Sequence, residues 1–205
     1  MKKILVAAAS ICALSVAAHA ADIAPVIMDQ KDWFVKLGGT YVIPDSAGTL
    51  PRLLRPVTVG NAFTGSIEAG RFINDRFSLS LTAGIPPTHD VLVSGVKVGT
   101  VTLGAFALDG QFHLTDRSSP FDLYVGGGLA YNAYFSTTVP LVTSVDGGFA
   151  PVLQVGAEYK VSESVGVFFD VKKEFFTTTV HHAILGAYQE RLDPLAITAG
   201  VAFHF

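Results

Sequence analysis

The stretch Pro194-Leu-Ala-Ile-Thr-Ala-Gly-Val-Ala-Phe-His-Phe205 decides the fold. Leu195, Ile197, Ala199, Val201, Phe203 and Phe205 fall on one side of an extended strand, and Ala196, Thr198, Gly200, Ala202 and His204 on the other. A strand that ends flush with the chain is a sheet edge, and an apolar edge invites aggregation unless the sheet closes on itself. The closing strand therefore predicts a barrel.

Seven stretches upstream repeat the alternation. Trp33 to Ile43 places Trp33, Val35, Leu37, Tyr41 and Ile43 opposite Phe34, Lys36, Thr40 and Val42. Asn61 to Ile73 follows, with Phe63, Ile67 and Ala69 facing away from Thr64, Ser66 and Glu68. Phe77 to Ile85 sets Phe77, Leu79, Leu81, Ala83 and Ile85 against Ser78, Ser80, Thr82 and Gly84. The remaining strands are expected at about Thr100–Leu114, Pro120–Phe135, Val152–Val161 and Val165–Thr178. Long connections are expected around Pro44 to Pro56, after Pro86-Pro87, over 136–149, and around His181, His182 and Gly186. Short polar turns stand at Asn74-Asp75, Thr115 to Ser119 and Ser162 to Ser164. Long and short connections thus alternate along the chain. In an up-and-down barrel this gathers every long loop at one end and every short turn at the other.

The expected domain plan is a cleaved secretory leader over 1–20 and a barrel over 21–205. Lys2 and Lys3 open a short apolar run that is followed by Ala18-His19-Ala20, a small-residue cleavage signature. Cys12 is the chain's one cysteine and lies in that leader, which excludes a disulfide scaffold and a thiol enzyme from the mature protein. The formal net charge is -3, and loss of the two leader lysines makes it more negative, so nucleic acid is not an expected partner. Charged residues make up 15% of the chain and hydrophobic ones 50%, against about 25% charged in ordinary soluble domains. No mature segment is long and apolar enough for a membrane helix. The hydrophobicity is spread over strands.

Alternation alone does not say which face meets solvent, so a soluble lipocalin-like barrel must be weighed. That fold would carry dense charge on its polar faces. Here those faces hold Gly, Ser, Thr and Ala with isolated charges, which suits the crowded interior of a narrow barrel. The apolar faces begin or end on aromatics such as Trp33, Tyr41, Phe77, Phe121, Tyr159 and Phe205, as interfacial girdles do. The fold class is therefore all-β, an eight-stranded antiparallel up-and-down transmembrane β-barrel in the outer membrane, with lipid against its outer face. Arg71 and Lys173 break the rule by falling on the lipid side, both near strand ends where snorkelling is cheap.

Two sets of inward residues are candidates for function. Val101, Leu103, Ala105 and Ala107, with Tyr124, Tyr134, Phe168 and Phe176, give an apolar lining that could take a ligand. Lys36, Asp109, Glu158, Asp170, Lys172 and Glu174 give charges of both signs, expected to pair across the lumen because an unpaired buried charge is costly. His181, His182 and His89 lie in predicted loops, where solvated surface positions are expected. His113 stands two pleats from Asp109 on the inner face and is expected to make a satisfied lumen hydrogen bond. No triad, metal-ligand set or cofactor motif is found; Gly126-Gly127-Gly128 lacks the lysine and helix of a phosphate loop and is expected to let the strand bend or a neighbour approach closely.

Phe121-Asp-Leu-Tyr-Val-Gly-Gly-Gly-Leu-Ala-Tyr131, Gln154-Val-Gly-Ala-Glu-Tyr159, Arg191-Leu-Asp-Pro194 and the closing Ala199 to Phe205 resemble, in order, landmarks of the outer-membrane protein W family. Leu123 stands where that family usually has proline, and the Leu-Pro-Pro turn often found before its fourth strand is missing. The resemblance implies an eight-stranded barrel with an apolar lumen that passes small hydrophobic molecules inward and releases them sideways into the membrane. It also implies that Phe205, a terminal aromatic, is recognised by the barrel-assembly machinery. The alternative is a non-conducting barrel with a structural or loop-mediated role in the envelope.

Overall fold

A computed structural model describes residues 31–46, 48–50 and 55–205; the leader lies outside the described residues. The first strand, β1 (Trp33–Ile43), is followed by a hairpin of β2 (Gly48–Leu50) and β3 (Arg55–Val59), then β4 (Ala62–Asn74), β5 (Phe77–Gly84) and β6 (Thr88–Val93). Next come β7 (Val96–His113), β8 (Phe121–Thr137), β9 (Val142–Val145) and β10 (Gly148–Lys160). The chain closes with β11 (Val165–Glu174), β12 (Thr177–His182), β13 (Gly186–Arg191) and β14 (Leu195–His204). Eight of these, β1, β4, β5, β7, β8, β10, β11 and β14, pair in that order, every pair antiparallel, and β14 returns to β1. The barrel is closed.

The seam that closes it runs in unbroken register from Phe34↔His204 to Ile43↔Leu195. Trp33 and Phe205 extend it by exchanging backbone hydrogen bonds of 3.0 Å in both directions. Close strand approach at the seam depends on Gly200, where a Cβ would overlap the Leu37 carbonyl oxygen and lie 2.6 Å from Gly38 Cα. Gly128 has the same function between β8 and β7: a Cβ there would overlap the Leu108 carbonyl oxygen.

The hydrophobic pattern is inverted relative to a soluble domain. Leu81, Leu108, Leu129 and Leu153 are all about half exposed, whereas Asp109 and Gln111 are fully buried. Bulk apolar side chains outside and polar ones inside suit a barrel whose outer solvent is hydrocarbon. Arg71 holds its place on the outer face by stacking over the Trp33 ring, 5.3 Å away. Lys173 reaches the Asp193 carbonyl and lies 4.0 Å from Asp45 at the loop end.

The long connections are more ordered than their composition predicts. β2, β3 and β6 extend the sheet above β7, and β13-β12-β9 forms a separate small sheet. β7 and β8 run 18 and 17 residues, against the ~9–11 a tilted transmembrane strand needs. These strands therefore stand well above the membrane on the loop side, which in such barrels is extracellular. The predicted seventh strand is broken at Phe175–Phe176, where β11 stops and β12 leaves for the small sheet.

Gly200→Val should prevent seam closure: in a heat-modifiability gel shift most of the variant is expected to run as unfolded protein. A folded fraction equal to wild type would show that the close approach is not needed.

Candidate functional site

The lower half of the lumen is filled. At the periplasmic end Phe34 and Phe72 pack edge to face at 5.8 Å, and the Arg117 guanidinium stacks on Phe72 at 4.3 Å. His113 bridges Asp122 Oδ2 at 2.7 Å and Ser78 Oγ at 2.9 Å, so its carboxylate partner comes from β8 and not from Asp109 on its own strand. Glu158 accepts from His204 across β11. Above this lies an ionic layer. Lys172 Nζ donates to Asp109 Oδ2 at 2.7 Å, Glu68 Oε2 at 3.0 Å and Thr82 Oγ1 at 2.6 Å, which uses all three of its protons. Lys36 Nζ lies 3.7 Å from Glu68 and donates to the Tyr124 hydroxyl at 3.1 Å, which in turn donates to Asp170 Oδ2 at 3.0 Å. Gln111 ties Glu68 to Gln154, and Gln154 donates to Asp170.

The candidate charges therefore separate by depth. Lys36, Asp109, Asp170 and Lys172 share one network; Glu158 sits lower with His204, and Glu174 sits higher, where Asn132 donates to it at 2.9 Å. Glu68, Gln111 and Gln154 belong to the network although the charge pattern did not single them out. Their inward alternation was visible in sequence, but the meeting of Lys172 with Glu68, 104 residues apart, needs the closed register.

Above the ionic layer the lumen opens into a cavity of about 200 Å³. Of the apolar candidates, Val101, Leu103, Ala105, Ala107, Tyr134 and Phe168 border it. Tyr124 is instead a buried member of the plug, with its ring 4.2 Å from Lys36 Nζ. Phe176 is buried against Ala150 and Leu192, packing behind Leu103 and Tyr134. The loop strands complete the wall with Val57, Val59, Val91, Val142, Val145 and Val180, none of which was among the candidates because each falls in a short run between turn residues. His89 also borders the cavity: pairing of β6 with β3 and β7 turns it inward, where Nδ1 bonds the Gly60 carbonyl at 2.7 Å. Its burial lowers its proton affinity, against the opposing effect of that carbonyl. His181 stays on the surface beside Asp146.

The barrel ladder is broken between β5 and β6. β4 pairs with β5 only as far as Ser66↔Gly84, and β5 pairs with β7 only to Ala83↔Phe106; the β7 ladder resumes with β6 at Thr88↔Thr102. Ile85-Pro86-Pro87 spans this interval: the Ile85 N–H still donates to the Gly65 carbonyl at 3.0 Å and the Pro87 carbonyl accepts from the Leu103 N–H at 3.2 Å, but the two prolines have no N–H to donate to a ladder. Ile85 is 72% exposed on the outer face and also borders the cavity.

A narrow outer-membrane β-barrel, plugged on the periplasmic side and hollow on the extracellular side, is the class these features define. The OmpW family model matches residues 29–205, and the chain belongs to that family. It is 28% identical over 183 residues to the uncharacterized outer-membrane protein y4mB of Sinorhizobium fredii, covering 84% of this chain and 80% of that one. It is 26% identical over 196 residues to the dibenzothiophene metabolism operon protein DoxH of Pseudomonas sp. (strain C18), covering 88% and 92%. The crystal structure of the outer membrane protein OprG from Pseudomonas aeruginosa superposes with a TM-score of 0.77 at 18% identity, covering 87% of this chain and 97% of that one. The protein resides in the outer membrane.

Replacing Lys172 with Met leaves Glu68 and Asp109 facing each other without their shared ammonium. Breaking a buried pair in this way costs about 3–5 kcal/mol, so urea unfolding from lipid vesicles should show a loss of that order. The combined variant E68Q/D109N/K172M should recover most of it. A loss below about 1 kcal/mol, the level of a surface pair, would contradict the network's structural weight.

Proposed function

We propose that the barrel is a passive channel for small hydrophobic molecules, which enter the extracellular cavity and leave sideways into the membrane. The observation that carries this is a cavity walled by valine, leucine and alanine side chains and floored by a polar plug. Its volume, about 200 Å³, exceeds the ~150 Å³ apolar cavity that holds a benzene, so one or two fused rings are the natural size. A hydrophobic molecule gains nothing by crossing the ionic layer, where desolvation of Lys172, Glu68 and Asp109 would oppose it. The interrupted wall at Ile85-Pro86-Pro87 offers the shorter way out, directly to hydrocarbon. The name of the DoxH relative, which places it in an operon for metabolism of a three-ring aromatic sulfur compound, points the same way. Ions and sugars are poor candidates, because eight strands leave an interior that side chains fill.

Transfer of naphthalene into lipid vesicles, followed by its fluorescence, tests the reading. Vesicles carrying the protein should take it up several-fold faster than empty ones; equal rates would sink the channel and favour a structural role. Thr64 borders the cavity on β4 beside the interruption and donates a hydrogen bond to the Ile85 carbonyl. Thr64→Trp should fill the gap and slow naphthalene transfer several-fold while the barrel stays heat-modifiable. Unchanged transfer in that variant would rule out the lateral route.

A further inference from the structure

The cavity is apolar but not neutral. Four carboxyl side chains border it, Glu68, Asp170, Glu174 and Glu190, against two ammonium groups, Lys36 and Lys172. Both ammonium groups are already engaged in the floor network with Glu68, Asp109 and Tyr124. Glu174 and Glu190 have no cationic partner within ion-pair distance among the described residues; Glu174 accepts only the Asn132 amide.

Glu190 is the sharper case. It lies on β13 opposite Thr178, in the small sheet above the membrane, and is 6% exposed. Both its carboxyl oxygens are buried without a hydrogen-bond partner among the described residues. Buried polar groups are nearly always paired in native structures, so a carboxyl with neither oxygen satisfied calls for a partner beyond the described residues. Burial alone pushes Glu190 up to about 7, and its charge adds to burial in pushing the Tyr188 hydroxyl up. Among the described residues no cation offsets it. Asn132 and Tyr134 occupy successive inward positions on β8, which sets Glu174 one step below the mouth region that Glu190 borders.

We infer that Glu190, backed by Glu174, is an anionic subsite on the cavity wall that takes the protonated amine of a small, otherwise apolar ligand. The inference rests on the hydrophobic-ligand reading of the same cavity and adds the polar end of the ligand to it. The apolar wall holds the hydrocarbon body, and a turn of the Glu190 side chain toward the cavity it borders brings its otherwise unpaired oxygens to the ammonium. A carboxylate of the same shape meets an excess of negative charge and is disfavoured; a neutral alcohol falls between the two.

The test compares four probes with one ring system in lipid nanodiscs: naphthalene, 1-naphthylmethylamine, 1-naphthylmethanol and 1-naphthoate. Empty nanodiscs give the lipid background. At about pH 8 the amine, with an alkylammonium proton affinity near ~10, is still charged while a group of Glu190's kind is largely ionised. Binding by fluorescence titration should rank amine above alcohol above carboxylate. Glu190→Gln should weaken the amine by about ten- to a hundredfold, the equivalent of one hydrogen bond to a charged group, and E174Q/E190Q should bring it level with the alcohol. Naphthalene titrated into each variant reports whether the cavity itself is intact, so a misassembled barrel is not mistaken for a lost subsite. A wild type that binds amine and alcohol equally, or a double variant that keeps the amine preference, overturns the inference. Naphthalene failing to bind the wild type would instead overturn the hydrophobic-ligand reading, whatever the amine does.

Discussion

Everything in this molecule follows from the ladder between β1 and β14. Its register, from Phe34↔His204 to Ile43↔Leu195, fixes a closed ring of eight strands. Closure removes the apolar edge that a terminal strand would otherwise present. It also fixes the interior at a width that side chains can fill. With lipid outside and a narrow lumen within, the inward face must carry small residues or groups that satisfy one another. The glycines at 128 and 200 and the polar plug are two answers to that single constraint.

Depth then divides the lumen. Near the periplasm the interior is crowded with rings and charges: Phe34, Phe72, His113 and Tyr124 below, and Lys172 with its three acceptors above. Over the plug, small residues such as Ala105 and Ala107 leave space, and valines from the loop strands roof it. Buried ion networks add little net stability over apolar packing of equal volume, yet are costly to break. In the channel we propose, they keep an apolar solute out of the floor while the wall above remains compatible with one. Pro86 and Pro87, which cannot donate ladder hydrogen bonds, break that wall between β5 and β6.

Much of the barrel was legible in the sequence, because a strand with lipid on one side and a lumen on the other alternates strictly. Trp33–Ile43 was read with its observed ends, and the pairing of long and short connections gave the topology. The strands hidden in the loops were not legible: β3 contains Pro56, β6 ends at the Ser94-Gly95 turn and β9 has four residues, and each has one partner distant in sequence, β3 and β6 pairing with each other and β9 with β12. The site divides in the same way. Leu103 and Ala107 were visible as inward apolar positions, but the plug partners of Lys172 required the register. Glu190 gave no signal, since a single carboxylate in an irregular stretch looks solvated until β13 is folded over the cavity.

The central claim is that a hydrophobic solute occupies the extracellular cavity and does not pass the plug. The most direct measurement is the location of naphthalene in the protein reconstituted in deuterated lipid, by nuclear Overhauser contacts to assigned methyl groups. The account predicts contacts to Val101, Leu103 and Ala107, which border the cavity, and none to Ala202, which faces inward on the seam strand beside Lys36. Contacts to Ala202 at comparable strength would mean an axial path through the plug and would contradict it.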